Sequence, residues 1–231
     1  MAVDGLPFSR GFVALVIAVA MAGRGLKKKS LSKSGAMAAF VVGLVSFLAS
    51  YRMGITLILF YQSSSSLTKV GNAIKKKLEA DHKEGGQRGA DQVLACSLLA
   101  TVIAVVYMAT QGLQDTPIHF AVAPRRSFLL CAYLSHYACC NGDTWASELG
   151  VLDPWVPRLV TQPWRSVPKG TNGGMSATGT AASLGAGLFI GVGFWLMSPR
   201  EVPEGTPSQL PLVWLGGLMG FGGSLLDSLL G

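Results

Sequence analysis

Residues 178–197, with the sequence TGTAASLGAGLFIGVGFWLM, contain no charged side chain. This length matches the roughly 20 residues that an α-helix needs to cross the hydrocarbon layer of a membrane. Similar apolar runs occupy residues 93–110 and 210–230, half of the 231 residues are hydrophobic, and only 13% are charged. The runs are continuous rather than alternating, which argues against a β-barrel. The sequence therefore predicts an all-α, multi-pass transmembrane helical bundle that forms one domain over residues 1–231.

The formal net charge of +7 does not point to a nucleic-acid partner, because the basic residues flank apolar runs. A basic cluster at residues 24–33 follows the apolar stretch 8–22, and such clusters are held on the cytoplasmic side. We therefore expect 8–22 to be an anchor helix rather than a cleaved signal peptide. A second basic loop, 62–91, belongs on the same side. The intervening segment 35–61 must turn back near Arg52, as two short helices or as a re-entrant hairpin.

The remaining runs complete the predicted topology. Residues 93–110 cross outward, 127–140 return as a short span, and the polar segment 141–177 becomes a second cytoplasm-facing loop. The four cysteines lie in apolar runs without metal-ligand spacing, which indicates small buried residues rather than disulfides. The last two runs carry small residues at intervals of four, a pattern typical of closely packed membrane helices: Gly179, Ser183, Gly187, Gly191, Gly216, Gly220 and Ser224.

Three carboxylates are candidates for catalysis. Asp143 and Glu148 are hard oxygen ligands of the kind that hold Mg²⁺ beside phosphates. Five residues along a regular helix are about 140° apart, so this pair converges only if Asp143 precedes the helix. Asp143 as a helix N-cap with a solvated Glu148 is the structural alternative. Asp227 near the inner end of the last run is a functional candidate or an interfacial carboxylate, whereas His136 is more simply a packing residue.

Two further segments offer donors that suit phosphates. Residues 62–91 combine hydroxyls, lysines, paired glycines and an arginine, and residues 169–174 combine a lysine with glycines that let backbone N–H groups approach an anion. The lysines also suit anionic lipid head groups, so both interpretations stay open. Neither segment is a Walker A motif. The candidate phosphate-binding or nucleotide-binding residues are Ser65, Lys69, Lys83, Gly85, Gly86, Arg88, Gly170, Thr171, Asn172, Gly173 and Gly174.

Six motifs occur in one order along the chain: GLKKKS at 25–30, SSSSLTK at 63–69, KEGGQR at 83–88, GDTWASE at 142–148, GTNGG at 170–174 and GSLLDS at 223–228. This order resembles the transmembrane protein 19 family, which includes the plant phytyl phosphate kinase. The resemblance implies a multi-pass helical membrane protein that transfers a nucleotide γ-phosphate to an isoprenoid monophosphate. Members generally continue beyond the motif that ends at residue 231, so this chain is expected to be a C-terminally short form.

The leading hypothesis is therefore a lipid phosphate kinase in the membrane. Asp143, Glu148 and Asp227 would form the catalytic group, with Mg²⁺ on Asp143 and Glu148. The partners would be a nucleoside triphosphate, an isoprenoid phosphate and the membrane lipid. The alternative is a non-catalytic membrane protein that binds or transports anionic lipids, and convergence of the acids and the glycine-rich segments in one cavity would favour the kinase.

Overall fold

A computed structural model describes residues 8–71, 87–199 and 204–230. Within these ranges the chain forms seven α-helices and one short β-hairpin, which confirms the predicted all-α class. The helices are α1 (Phe8–Lys27), α2 (Lys33–Ala49), α3 (Tyr51–Leu67), α4 (Ala90–Gln111), α5 (Pro124–Gly150), α6 (Ala177–Leu196) and α7 (Pro211–Leu230). The strands β1 (Arg158–Leu159) and β2 (Gly174–Met175) pair antiparallel between α5 and α6.

Four of these helices, α1, α4, α6 and α7, are long and apolar enough to cross a membrane. Their outer faces expose large hydrophobic side chains, among them Phe12, Leu99, Leu184 and Leu218. Such surface is stable against lipid but not against water. The chain is therefore an integral membrane bundle, as predicted.

The segment 35–61 forms two helices that break at Ser50. Ser50 has an extended backbone, and its hydroxyl accepts hydrogen bonds from the N–H groups of Arg52 and Met53, which caps α3. Its hydroxyl also donates to Asp115, the carboxylate that pairs with Arg10 near the start of α1. The turn therefore reaches the end of the bundle where α1 starts, and the choice between two crossings and a re-entrant hairpin stays a prediction, because neither helix is among the four candidate spans.

The opposite end of the bundle collects most of the basic segments, and we call it the basic end. The N–H of Ser32 donates to the carbonyl of Arg88 over 3.0 Å, which ties the α1–α2 connection to the start of α4. Gly71 lies against Leu152, which brings the segment after α3 to the end of α5. This gathering agrees with the charge pattern, and the assignment of the basic end to the cytoplasm stays a prediction.

Helix α5 is the central helix of the bundle. It packs against α3, α4, α6 and α7, and Tyr133, Leu134, Tyr137 and Ala138 are each 0% exposed. Its 27 residues extend about 40 Å, long enough to cross a bilayer. The helix continues to Gly150, so residues 141–150 are helix rather than the loop that we expected. Asn141 is satisfied there by neighbouring helices, and the hydroxyls of Thr144 and Ser147 donate to carbonyls of α5 itself.

Helices α6 and α7 pack through their small residues, as the spacing of four predicted. A Cβ atom added to Gly216 would lie 2.5 Å from the carbonyl oxygen of Gly187, and one added to Gly220 would lie 2.7 Å from the Gly187 Cα. Only glycine allows the backbones to approach this closely. Gly142 brings α5 equally close to Gly220, so the three helices form one tightly packed unit.

Candidate functional site

A cavity of about 590 Å³ lies between the first five helices. Toward its interior the walls are apolar, because α1, α2 and α3 turn hydrophobic faces inward. No residue of α6 or α7 lines the cavity. The apolar lining includes Ile17, Ala18, Val42, Phe47, Leu57 and Phe60. This part of the cavity suits a hydrocarbon chain.

The same cavity has a polar wall at the basic end. The wall includes Arg88, which precedes α4, and Thr144, Ser147 and Glu148 on α5. The backbone of Arg88 is held in place, because its N–H donates to the Ser30 carbonyl over 3.0 Å and its own carbonyl packs against Gly35. The cavity is thus amphipathic, with a cation and a carboxylate beside an apolar interior.

Helix α5 separates the two carboxylates that were expected to share a metal ion. Thr144, Ser147 and Glu148 lie on one face because they are three and four residues apart. Asp143 is about 140° away from Glu148 around the helix and does not line the cavity. Asp143 also lies far from the start of α5, so it is not an N-cap. The expected pair therefore diverges.

Asp143 instead lies beside the last helix. It is close enough to Asp227 for their charges to interact, and Cys139 lies near both carboxylates. Cys139 packs against Gly223 of α7, which fixes this contact between the two helices. Asp143 is half-buried and Asp227 is exposed. The three predicted acids thus occupy two neighbouring places at the basic end, with Glu148 in the cavity and Asp143 with Asp227 outside it.

The glycine-rich segment 170–174 belongs with the second group. Gly170 and Gly173 have φ values of +82° and +74°, which glycine adopts without strain. A Cβ atom on Gly173 would lie 3.0 Å from the Ser228 carbonyl oxygen, so the segment approaches the end of α7 next to Asp227. Thr171 and Asn172 are exposed. No residue of this segment lines the cavity.

A carboxylate that we did not single out fixes the connection between α5 and α6. Asp153 is 2% exposed, and its oxygens accept hydrogen bonds from the N–H groups of Thr178 and Trp155, both over 2.9 Å. These donors, with Thr178 the stronger, lower the pKa of Asp153 to about 2. Lys169 donates to the Asp153 carbonyl. Asp153 therefore anchors the connection at the first turn of α6.

The run of four serines near the end of α3 divides between two roles. Ser63 and Ser64 donate to the side-chain oxygen of Asn141 over 3.0 and 3.1 Å, and the Asn141 amide donates to the Ala186 carbonyl over 3.2 Å. These contacts join α3, α5 and α6. Ser65, one of the predicted phosphate-binding residues, lines a second pocket instead.

This second pocket, which we call the basic pocket, has a volume of about 270 Å³ and lies between the ends of α1 and α3. Lys69 was predicted as a ligand, but Arg24 and Lys28 were assigned only to membrane orientation. Their spacing of four residues, which puts both on one side of the chain where α1 ends and the Lys28 N–H donates to the Arg24 carbonyl, was the available signal. The lining comprises Arg24, Lys28, Ser30, Tyr61, Gln62, Ser65, Ser66 and Lys69.

Tyr61 lines both the cavity and the basic pocket. Its hydroxyl lies 2.6 Å from the hydroxyl of Ser30, which holds the ring between the two spaces. The predicted residues Lys83, Gly85 and Gly86 lie outside the described residues. Of the remaining predicted phosphate ligands, Arg88 faces the cavity and Ser65 and Lys69 face the basic pocket.

Two kinds of similarity place the chain among known proteins. The family model "Integral membrane protein DUF92" matches residues 16–231. Protein PGR of Arabidopsis thaliana is 40% identical over 228 residues, which cover 97% of this chain and 79% of that protein. An uncharacterized membrane protein of Methanocaldococcus jannaschii is 28% identical over 225 residues, or 96% of this chain and 82% of that one.

A third relative matches a smaller part of the chain. Protein VTE6, chloroplastic, from Arabidopsis thaliana is 29% identical over 185 residues, which cover 80% of this chain and 53% of that protein. No solved structure matches the chain. Together, the family match and the relatives described as membrane proteins confirm that the chain is an integral membrane protein.

Proposed function

We propose that this chain, which belongs to the DUF92 family of integral membrane proteins, transfers a phosphoryl group from a nucleoside triphosphate to an isoprenoid monophosphate. The observation that carries the proposal is the amphipathic cavity of about 590 Å³, with Arg88 and Glu148 at its polar wall. An isoprenoid phosphate has the same division into a hydrocarbon chain and a charged head. The motif order shared with the family that includes the plant phytyl phosphate kinase supports the same substrate class.

The lipid would enter with its chain among the apolar side chains and its phosphate at the basic end. The cavity volume lies within the range of about 300–1,000 Å³ that is usual for small-molecule sites. Arg88 suits the head group because a planar guanidinium donates two parallel hydrogen bonds to a phosphate. The backbone of Arg88 is fixed on both sides, so its side chain starts from a defined point at the polar wall.

The reaction needs no nucleophile from the protein. An oxygen of the lipid phosphate attacks the γ-phosphorus of the nucleoside triphosphate and forms a new P–O bond. The bond from the γ-phosphorus to the β,γ-bridging oxygen breaks, and its electron pair leaves with the nucleoside diphosphate. The products are the lipid diphosphate and the nucleoside diphosphate. The residues contribute by positioning the two phosphates and by offsetting their charge.

In the proposed reaction Mg²⁺ would bind together with the nucleotide. The divergent Asp143 and Glu148 do not fit a single ion as a pair, and no cluster of three metal-binding side chains occurs among the described residues. Glu148 fits as the one protein ligand of an ion that is otherwise held by phosphates, which is a usual arrangement for Mg²⁺. When bound, the ion supplies charge neutralisation on the phosphates.

Asp143 of α5 and Asp227 of α7 stay predicted catalytic residues, and they form a pair that is separate from Glu148. They are not on the cavity wall, so a direct role requires that a bound substrate extends toward them. Exchanging each for its amide tests this role separately from that of Glu148.

The test is a reaction with purified protein in phosphatidylcholine nanodiscs. Phytyl or farnesyl phosphate is incubated with each nucleoside triphosphate and Mg²⁺, and the lipid diphosphate is measured by mass spectrometry. We expect Arg88→Gln to lower kcat/KM by about tenfold to a hundredfold, the usual effect of losing a charged hydrogen bond. Arg125→Gln is the matched control, because Arg125 is exposed at the opposite end of the bundle.

The result separates the kinase from its alternative. If the wild-type protein binds the lipid phosphate but forms no diphosphate with any nucleotide, the proposal fails and the non-catalytic lipid-binding hypothesis takes its place. If the diphosphate forms and Arg88→Gln and Glu148→Gln are as active as the wild type, the kinase stands but the cavity is not its site.

A further inference from the structure

We infer that the basic pocket binds the polyphosphate of the nucleoside triphosphate donor, on the far side of Tyr61 from the lipid. The inference rests on the proposed function and assigns its second substrate to a place. It also adds Arg24 and Lys28 to the residues that bind the nucleoside triphosphate.

The charge of the pocket matches a polyphosphate better than a single phosphate. Within residues 8–71, 87–199 and 204–230, three cationic side chains line it, Arg24, Lys28 and Lys69, and no carboxylate does. Among the described residues, none of the three forms an ion pair with an acid. A single phosphate monoester carries about 1.5 to 2 negative charges at pH 7, so three cations exceed what one phosphate requires. A triphosphate offers enough charge for all of them.

A neutral donor in the pocket, the Ser65 hydroxyl, also suits a polyphosphate. The Ser65 hydroxyl is buried and has no hydrogen-bond partner in the described part of the chain. A buried hydroxyl without a partner is costly, and a ligand oxygen would remove that cost. Ser65 lies in the last turn of α3 and Lys69 in the turn that follows it, and both line the pocket. The ends of α1 and α3, with the turns that follow them, therefore offer a hydroxyl and three cations to a common space.

The size of the pocket indicates which part of the nucleotide it holds. Its volume of about 270 Å³ is below the usual range for a whole drug-sized ligand. The phosphates would therefore lie inside, and the base and sugar would extend from the basic end. This arrangement predicts that inorganic triphosphate competes with the nucleotide.

Tyr61 explains how the two substrates meet. Because it lines both spaces, a γ-phosphate in the basic pocket and a lipid phosphate at the cavity wall lie on either side of one ring. The lipid oxygen then attacks the γ-phosphorus past the edge of this ring, with the nucleoside diphosphate leaving on the pocket side.

Anionic lipid head groups share the phosphate chemistry, so the test must distinguish the two sources. The protein is placed in phosphatidylcholine nanodiscs without any isoprenoid phosphate, and binding of a labelled, non-hydrolysable nucleoside triphosphate is measured. Unlabelled inorganic triphosphate, the free nucleoside and nanodiscs that contain phosphatidylserine serve as competitors. The variants are Arg24→Gln, Lys28→Gln and Lys69→Gln, singly and together, with Lys27→Gln as the matched control on α1.

We expect each single change to weaken nucleotide binding about fivefold, as for an exposed charge pair, and the triple change to abolish measurable binding. Inorganic triphosphate should compete, the nucleoside and phosphatidylserine should not, and Lys27→Gln should bind like the wild type. Because the three side chains are exposed, the single variants should fold, and circular dichroism checks this.

Unchanged nucleotide affinity in the folded single variants would overturn the inference. So would a loss of phosphatidylserine binding with the nucleotide affinity intact, because the pocket would then hold a head group. Failure of the proposed function would give a different experimental result. In that case the wild type binds triphosphate through Arg24, Lys28 and Lys69 but forms no lipid diphosphate.

Discussion

Asn141 is the side chain whose removal tests the assembly of the bundle most directly. It is 0% exposed, and it accepts from Ser63 and Ser64 while donating to the Ala186 carbonyl. Asn141→Ala removes three hydrogen bonds that join three helices. Such interhelical bonds are worth about 0.6 kcal/mol each on average in membrane proteins. We therefore expect the free energy of unfolding to fall by about 2 kcal/mol.

The assay is unfolding in mixed micelles with increasing sodium dodecyl sulfate, followed by circular dichroism. Ser66→Ala is the matched control from the same run of serines, because in the described part of the chain the Ser66 hydroxyl bonds only within α3, to the Gln62 carbonyl. It should change the free energy of unfolding by less than about 0.5 kcal/mol. A double-mutant cycle between Asn141→Ala and Ser64→Ala should give a coupling energy above about 0.5 kcal/mol. A loss for Asn141→Ala as small as that of the control, or the absence of coupling, would refute the reasoning.

Three further predictions use the same protein. Gly187→Val pushes a side chain into the backbone of α7 and should lower the free energy of unfolding by about 1–3 kcal/mol. Gly185→Val, where added atoms meet open space, should lower it little, and an equal loss of stability in the two variants would contradict the packing of α6 on α7. The pKa of Asp153 is lowered to about 2, so its stabilising effect is complete above the ordinary pKa of about 3.9 and should decline as the pH falls toward 2. Tryptophan fluorescence would follow this decline, and Asp153→Asn should lack it between about pH 5 and pH 2. Arg52 is 1% exposed and its guanidinium has no hydrogen-bond partner among the described residues, so Arg52→Met should leave the free energy of unfolding unchanged or raise it. Asp115→Ala should lower the free energy of unfolding by about 1–3 kcal/mol. Detergent unfolding in which Arg52→Met is the less stable variant would contradict both expectations.

Hydropathy and charge predicted most of the helices. Helix α4 follows the predicted apolar run closely, and the basic clusters placed the turn of the α2–α3 hairpin near Arg52. These features follow from the cost of exposing backbone or charge to lipid, which acts on every residue independently. The spacing of small residues in α6 and α7 likewise predicted their close approach.

The predictions failed where polar residues are satisfied by distant parts of the chain. Residues 141–150 have the composition of a loop, yet they are helical because Asn141 bonds to two other helices and Gly142 packs against a third. The division of the expected acids into two places follows from this extension of α5. Arg24 and Lys28 were missed because their pocket exists only where α1 meets α3. Such contacts depend on the tertiary fold and leave little trace in a single sequence.

The cavity and the glycine-packed helices have only α5 in common. The glycine contacts between α6 and α7 are backbone to backbone, and Ile58, which lines the cavity from α3, takes no part in them. On the proposed function, the length of the hydrocarbon tail is the property to alter first in directed evolution, because side chains such as Ile58 that limit the depth of the cavity lie apart from the glycine contacts.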